Sequence, residues 1–180
     1  MFRDITPDQK TIGRKNPKGY NLTVQRDGYR DVFQWRREGE DKISAIARFL
    51  IDEEDVRSVL ESRILESAED LYRDLDISDD KRYEMIESDM RDATSQLYYE
   101  TPIYLSEVRV LSEEDRGQYL GSDLMQELES QLAENGFDAI YLQAVPSVRA
   151  LWYLRLGFDL LYPREESDMM EVFPVLKKNI

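Results

Sequence analysis

The sequence predicts a mixed α/β (α+β) fold, with a mostly antiparallel sheet, one parallel βαβ unit and flanking helices that include an acidic helical hairpin. Three observations predict it. Strand-like segments fill residues 20–51, two long amphipathic segments fill 52–98, and a strand, loop, helix and strand follow at 102–145. A strand followed by a helix and a second buried strand is typical of a parallel crossover.

The composition limits the classes of function. The 180 residues suit one folded domain, and 41% of them are hydrophobic. The chain has neither cysteine nor histidine, which excludes disulfides, Cys/His zinc sites and a Ser-His-Asp triad. No apolar run reaches the length of a membrane span, and the first ten residues lack a signal-peptide core. We therefore expect a soluble, cytoplasmic protein.

The net charge of −14 is unevenly distributed. Residues 1–50 carry 11 basic and 7 acidic side chains, residues 51–100 carry 6 and 17, and the remainder carries 7 and 14. This excess of acid disfavours direct binding to nucleic acid and attracts cationic partners such as amines or basic peptides. The alternative is that the acids are simply the solvated faces of helices.

The N-terminal third begins with a basic segment and continues with strands. Residues 1–19 show little periodicity and are predicted to be an arm, so that a single domain covers residues 20–180. The β-rich segments are separated by turn residues and predict a three-stranded antiparallel meander. These segments are residues 20–27, 29–37 and 42–51.

Residues 52–98 predict two helices that pack as the acidic hairpin. In each helix, apolar residues recur at three- and four-residue steps and form one stripe. The stripes consist of Val56, Leu60, Ile64, Ala68, Leu71 and Leu75, and of Tyr83, Ile86, Met90, Ala93 and Leu97. Ser78 and Asp79 are both candidate N-caps for the second helix.

Residues 102–145 predict the βαβ unit. The apolar alternation in the first strand, 102–110, changes phase at Ser106-Glu107, which predicts a one-residue bulge there. The helix has a leucine stripe and the stop signal Asn135-Gly136. Residues 138–145 form a nearly continuous apolar run, typical of a strand buried on both faces.

The remainder of the chain predicts one short helix and two closing strands. The helix lies in "SVRALWYLRLGF" and the strands are 158–163 and 169–178, joined by a polar turn at 164–168. No internal repeat interrupts this order.

The loop before the third helix contains Gly117 and Gly121. Glycines let backbone N–H groups approach a ligand closely, and the first turn of a helix has N–H groups free to bind phosphate. Two glycines before a helix are also compatible with a simple turn. The loop alone therefore leaves both interpretations open.

Two motifs make the sequence resemble the GNAT superfamily, the GCN5-related N-acetyltransferases. The family's cofactor loop, Arg/Gln-x-x-Gly-x-Gly/Ala, is matched by residues 116–122, "RGQYLGS", with Tyr119 where the family has its first loop glycine. The family's Tyr-x-x-x-Gly-Phe string is matched by Tyr153, Gly157 and Phe158. The resemblance covers residues 101–178, which it implies are an acetyl-CoA-binding core.

The resemblance implies a set of cofactor-binding residues. Arg116 would add a charged contact to the coenzyme A pyrophosphate, and the backbone of Val108 and Val110 would pair with the pantetheine arm. The backbone of the loop and the first helical turn would hold the pyrophosphate through Gly117, Gln118, Tyr119, Leu120, Gly121 and Ser122.

The resemblance also implies catalytic residues. Tyr153 is the candidate general acid that protonates the departing thiolate, with a packed core aromatic as the alternative. Glu107, at the expected bulge, is the candidate base or binds the charge of the amine, with a solvated strand carboxylate as the alternative. No motif indicates a metal site, since the acidic pairs lack EF-hand spacing.

The sequence thus supports two functions of different classes. The first is an acetyl-CoA-dependent N-acetyltransferase that transfers acetyl directly to an amine, on a small molecule or peptide and expected to be cationic. The second is a non-catalytic acidic interaction protein on a degenerate fold, which Tyr119 in the cofactor loop favours. A homodimer is consistent with the resemblance.

Overall fold

The computed structural model describes residues 10–15, 20–27, 30–37, 39, 41–111, 113–114, 119–146 and 148–180. The strands in this part of the chain are β1 (Lys10–Lys15), β2 (Tyr20–Asp27), β3 (Arg30–Arg37), β4 (Ile43–Leu50), β5 (Pro102–Val110), β6 (Ala139–Gln143), β7 (Asp159–Tyr162) and β8 (Val175–Asn179). The α-helices are α1 (Glu53–Tyr72), α2 (Asp79–Thr94), α3 (Leu120–Glu134) and α4 (Val148–Arg155), and 3-10 helices cover Leu97–Tyr99 and Glu166–Met170. The predicted mixed α/β class is confirmed.

The chain divides into two compact units. The first contains β1 to β4, residues 105–110 of β5, and α3. The second contains α1, α2, residues 102–104 of β5, β6, α4, β7 and β8. Because β5 contributes to both units, the single domain expected for residues 20–180 stays a prediction.

The sheet of the first unit has the strand order β1-β2-β3-β4-β5. The pairs β2–β3 and β3–β4 are antiparallel, so the predicted three-stranded meander is confirmed. Within β3–β4, Trp35 pairs with Ala45 and Phe33 pairs with Ala47. Cross-strand partners share a face of the sheet. These four side chains and Phe49 are at most 2% exposed, and the Phe33 and Phe49 rings meet edge to face at 5.2 Å.

Strand β1 corrects the expectation that residues 1–19 are an arm without a core element. Residues 10–15 pair antiparallel with β2, with Lys10 opposite Val24 and Ile12 opposite Leu22. The residues of this segment do not alternate between apolar and polar side chains, so the sequence pattern did not predict a strand. The segment is a strand because its backbone pairs with β2. Residues 1–9 and 16–19 lie outside the described residues.

Helix α3 has the predicted apolar stripe and contacts β4. The stripe is at most 1% exposed and consists of Leu120, Leu124, Leu128 and Leu132. The predicted stop is also confirmed, because Gly136 has φ 82° and a Schellman motif closes the helix. In that motif, Phe137 N–H donates to Leu132 C=O at 3.1 Å and Gly136 N–H to Ala133 C=O at 3.1 Å.

The sheet of the second unit has the strand order β5-β6-β8-β7. Pairing of Ile103 with Ile140 and of Tyr104 with Tyr141 is parallel, which confirms the predicted crossover between β5 and β6. The pairs β6–β8 and β7–β8 are antiparallel. The last strand is shorter than predicted and begins at Val175, because Pro174 cannot donate to a ladder and residues 166–170 form a 3-10 helix.

The acidic hairpin predicted at 52–98 is confirmed as α1 packed on α2. The Asp52 side chain caps α1, and the Ser78 side chain, rather than Asp79, caps α2. In α1, the stripe residues from Val56 to Ala68 are fully buried, whereas Leu71 is half-buried and Leu75 lies beyond the end of the helix and is exposed. In α2, the predicted stripe is only partly correct, since Tyr83 is 68% exposed and the buried residues of this helix are Asp89 and Ala93.

One polar cluster binds the hairpin to the rest of its unit, and a second lies just after the hairpin in the chain. Asp89 Oδ2 accepts hydrogen bonds from the phenols of Tyr72 and Tyr162, the latter at 3.1 Å, and Arg164 lies 3.2 Å from Oδ1. In the second cluster, Glu100 accepts hydrogen bonds from Lys177 and Tyr141. Buried carboxylates of this kind need these donors, because an unpaired charge away from water is costly.

Candidate functional site

Helix α3 begins at a residue in a left-handed conformation. Tyr119, its N-cap, has φ 59° and ψ 16°, and it is the non-glycine residue with positive φ among those the structure describes. A residue with a side chain is strained by about 1–2 kcal/mol in the left-handed region of backbone φ and ψ, which is why glycine is favoured there. The side chain of Tyr119 is 77% exposed.

The first turn of α3 also differs from those of α1 and α2. Those helices are capped by the side chains of Asp52 and Ser78, whereas in the described part of the chain no side chain caps α3. The carbonyl of Tyr119 accepts the first helical hydrogen bond, from Asp123 N–H at 3.0 Å. The N–H groups before Asp123 in this turn have no partner inside the helix.

Glu107 lies in the part of β5 that belongs to the first unit, and two arginines surround its half-buried carboxylate. Arg48 of β4 forms an ion pair and hydrogen bond with Oε2, and Nη1 of Arg109 lies 3.8 Å from Oε1. The Glu107 carboxylate thus has a cationic partner in Arg48, and its role as base or as amine-binding group stays a prediction.

Along β5, the burial of the side chains changes at Ser106, where the apolar alternation of the sequence also changes phase. Residues 102–105 are buried, Ser106 is exposed, and Val108 and Val110 are half-buried. The Ser106 hydroxyl donates to the Arg48 carbonyl at 3.0 Å, and Leu111 N–H donates to the Ser44 carbonyl at 2.8 Å. The bulge at Ser106-Glu107 and the role of the two valines stay predictions.

Tyr153 lies on α4, in the second unit, and is partly buried. Its ring contacts Trp152 at 4.7 Å and Phe158 at 5.5 Å between centroids. Burial raises the pKa of the Tyr153 phenol to about 12, opposed by the positive charge of Arg149 and reinforced by Tyr104. The phenol therefore keeps its proton throughout the physiological range.

A Schellman motif accounts for the Tyr-x-x-x-Gly-Phe string. Gly157 has φ 85°, Phe158 N–H donates to Tyr153 C=O at 3.2 Å, and Gly157 N–H donates to Leu154 C=O at 3.0 Å. Lys178 Nζ donates to the carbonyl of Leu156 at 2.6 Å. The glycine ends the helix, and the turn places the ring of Phe158 against Tyr153.

Comparisons with known proteins support the fold. No family model and no curated protein matches the sequence. Among solved structures, the chain is similar to a mosquito arylalkylamine N-acetyltransferase like 5b, with a TM-score of 0.52 and 16% identity over 83% of this chain and 74% of that chain. The chain has the fold of the GNAT superfamily.

Two further structures are similar at lower scores. A GNAT family acetyltransferase from Listeria monocytogenes has a TM-score of 0.48 and 16% identity, over 83% of this chain and 64% of that chain. A Drosophila melanogaster polyamine N acetyltransferase has a TM-score of 0.46 and 14% identity, over 83% of this chain and 74% of that chain.

The predicted site residues lie in both units. Tyr153 belongs to the second unit. The first unit contains Glu107, Val108, Val110, Tyr119, Leu120, Gly121 and Ser122. Arg116, Gly117 and Gln118 lie outside the described residues, so their roles stay predictions.

The second unit also has a cleft that no sequence motif indicated. The cleft has a volume of about 360 Å³ and lies along α1, the end of β6 and Phe173. The corresponding feature of the sequence is the polar face of α1, for which a solvated helix face was one of the two interpretations left open. Within the described residues, no cluster of acidic side chains is arranged to hold a metal ion, and no helix has the length and apolarity to cross a bilayer.

Proposed function

We propose that the protein is an N-acetyltransferase that uses acetyl-CoA and transfers the acetyl group directly to an amine. The observation that carries the proposal is the left-handed Tyr119 directly before the uncapped α3, in a chain with the GNAT fold. A strained residue that persists at a helix start favours a functional role over a simple turn. Tyr119 thus adopts, at the position where the family motif has glycine, a backbone conformation that glycine favours.

The backbone around Tyr119 fits the pyrophosphate of coenzyme A. The N–H groups of Leu120, Gly121 and Ser122 occupy the first turn of α3, where the helix macrodipole adds partial positive charge. The backbone N–H groups of Tyr119 and Gln118 would complete the set of donors to the pyrophosphate. Arg116 would contribute a charge, and the backbone of Val108 and Val110 would bind the pantetheine arm.

Tyr153 and Glu107 would donate a proton, accept a proton or bind charge during the reaction. Acetyl-CoA supplies a thioester, whose C–S bond is exchanged for a C–N bond to the acceptor. The attacking amine must be neutral and releases one proton, while the departing sulfur takes one. Tyr153, which holds its proton up to a pKa of about 12, would donate to the sulfur. Glu107, paired with Arg48, would bind charge near the acceptor or accept the amine proton through water.

A second candidate function is a non-catalytic acidic interaction protein. It is favoured by two exposed aromatic side chains beside the acidic hairpin, Tyr98 at 64% and Tyr99 at 90% exposure. The guanidinium of Arg57 lies 5.0 Å from the Tyr98 ring centroid. Exposed tyrosines are frequent at protein interfaces. This function requires no acetyl-CoA binding, which separates it from the first.

Isothermal titration with acetyl-CoA separates the two functions. We expect binding in the micromolar range, about −8 kcal/mol. Gly121→Asp places a carboxylate in the proposed pyrophosphate site and should abolish binding. Gln126→Asp adds the same charge at an exposed position of α3 and should retain it. A folded protein without acetyl-CoA binding, or equal losses in both variants, would contradict the enzyme and favour the interaction protein.

A further inference from the structure

Tyr104 is a buried phenol of the second unit that has no part in the reaction as proposed above. Its backbone forms the last pair of the parallel β5–β6 ladder, opposite Tyr141, and the residue is 7% exposed. Gln143 lies two residues further along β6 and pairs with Val175 of β8. The side chain of Tyr104 is therefore held where the paired part of β5 ends.

Two hydrogen-bond donors face the oxygen of the Tyr104 phenol. They are the guanidinium of Arg63 on α1 and the backbone N–H of Gln143. Burial raises the pKa of Tyr104, and the two donors oppose this effect because they stabilise the phenolate. The hydroxyl thus keeps its proton at neutral pH. A hydroxyl oxygen can accept two hydrogen bonds and still donate its single O–H to a third group.

The two donors are themselves fixed in position. Arg63 Nη1 pairs with Glu66 Oε2 at 2.7 Å, three residues further along α1. The backbone of Gln143 belongs to the β6–β8 ladder, and its side-chain Nε2 lies 3.4 Å from the hydroxyl of Ser67. Tyr104 is therefore an oriented hydroxyl, and such a group stabilises developing charge without first having to reorganise.

Tyr153 provides a second phenol close to Tyr104 in the same unit. Burial raises the pKa of Tyr153 to about 12, and the neighbouring Tyr104 raises it further, against the positive charge of Arg149. Because the two phenols influence each other, they lie near one another, and both remain protonated at neutral pH. The second unit thus offers two neighbouring O–H donors rather than one.

Acetyl transfer places negative charge on two atoms of the thioester in turn. When the amine nitrogen forms the new C–N bond, the π electron pair of the carbonyl moves to its oxygen. When that pair returns, the C–S bond breaks, and the sulfur leaves with the bonding pair and takes a proton. The oxygen and the sulfur are attached to the same carbon, so two neighbouring donors suit the pair of them.

We propose that Tyr104 is a further catalytic residue, whose hydroxyl donates a hydrogen bond to the carbonyl oxygen of the acetyl thioester. The inference rests on the proposed function and adds a residue to the same site. Tyr104 keeps its proton throughout and only stabilises the charge on oxygen, whereas Tyr153 gives its proton to the sulfur. Arg63 acts through Tyr104 and is a positioning residue.

The test is carbon-13 NMR of acetyl-CoA labelled at the acetyl carbonyl and bound to the protein without an acceptor amine. A hydrogen bond to the carbonyl oxygen withdraws electrons from the carbon, so we expect its resonance to move downfield on binding. Tyr104→Phe should remove most of this shift. The Kd for acetyl-CoA should change by less than about tenfold, since a single neutral hydrogen bond is lost. Tyr99→Phe, at a residue that is 90% exposed, is the control and should keep the full shift.

Two further comparisons assign the roles. Tyr153→Phe should keep most of the downfield shift, because its partner is the sulfur, and a loss equal to that of Tyr104→Phe would overturn the assignment. Arg63→Gln should reduce the shift in part, since one donor to Tyr104 remains. Arg73→Gln removes a guanidinium that lines the same cleft but pairs with Asp70, and it should leave the shift unchanged. Equal effects of the two arginine variants would overturn the positioning role of Arg63.

The outcomes separate this inference from the proposed function. If acetyl-CoA binds and its carbonyl resonance does not move, or moves equally in the wild type and in Tyr104→Phe, the role of Tyr104 is overturned and the acetyltransferase stands. A folded protein that does not bind acetyl-CoA would overturn the proposed function, and the role of Tyr104 with it.

Discussion

The backbone N–H of Phe158 donates to the carbonyl of Tyr153 at 3.2 Å, across a turn that Gly157 makes with φ 85°. One local motif thus ends α4 and places the ring of Phe158 against that of Tyr153. A Cβ at Gly157 would meet only the Lys178 side chain, at an ordinary contact distance of 3.7 Å. The demand for glycine is therefore conformational rather than steric.

Gly157→Ala should reduce the free energy of unfolding by about 1–2 kcal/mol, because alanine is strained at this positive φ. Urea unfolding measures the effect. Gly157→Asn is the matched control and should lose less, since asparagine tolerates the left-handed region. Equal losses in the two variants would show that side-chain volume, and not φ, determines the cost.

Tyr119→Gly should raise the free energy of unfolding by roughly 0.5–1 kcal/mol, because glycine adopts φ 59° without strain. Acetyl-CoA affinity should be retained, since the backbone N–H remains. Tyr119→Ala removes the same ring and keeps the strain, so it should give no gain. A less stable Tyr119→Gly would contradict the left-handed conformation.

Asp89→Ala should destabilise the protein by about 2–3 kcal/mol, because it leaves the buried Tyr162 phenol without an acceptor and breaks the contact with Tyr72. Asp92→Ala is the matched control on the same helix. The Asp92 carboxylate also pairs with Arg164, but it is 59% exposed. That variant should cost less than about 1 kcal/mol. Thermal unfolding distinguishes them, and similar losses would contradict a specific role for Asp89.

Stability should fall as the pH rises above about 10. Burial, followed by the hydrogen bond to Asp89, raises the pKa of Tyr72 from 10.0 to about 12. Between these values the unfolded chain has released a proton that the folded protein still holds, so the folded state binds more protons and loses stability with rising pH. This contribution is fully present below pH ~10.

Tyr72→Phe removes that titration, so the decline of the unfolding midpoint between pH ~10 and ~12 should be shallower than in the wild type. Urea midpoints at a series of pH values measure both slopes. Below pH ~9 the two curves should run parallel. Identical slopes in the alkaline range would show that Tyr72 ionises alike in the folded and unfolded states.

Tyr153→Phe tests the proton donor. If the proposed function holds, kcat for an amine acceptor should fall by ~10²-fold or more, while the Kd for acetyl-CoA stays unchanged. Tyr83→Phe, at a residue that is 68% exposed, provides the control. An unchanged kcat in Tyr153→Phe would assign this side chain to packing against Trp152 and Phe158.

Local patterns in the sequence determined much of the fold. The leucine stripe of α3, its stop at Gly136 and the α1 stripe from Val56 to Ala68 follow from the three- and four-residue helical repeat and from cap chemistry within one turn. Cap chemistry also limited the N-cap of α2 to Ser78 or Asp79. The parallel crossover followed from the order of the elements. These features depend on neighbours in the sequence, which is why they could be predicted.

Only the tertiary structure decided where distant segments meet. Strand β1 exists through its pairing with β2, and Asp89 is buried where α2 was expected to place an apolar stripe, because two tyrosines and an arginine receive its charge. Glu107 meets Arg48 across 59 residues of sequence. The cleft around Glu69 joins α1, β6 and Phe173. Such contacts arise from the packing of the whole chain, so no local periodicity encodes them.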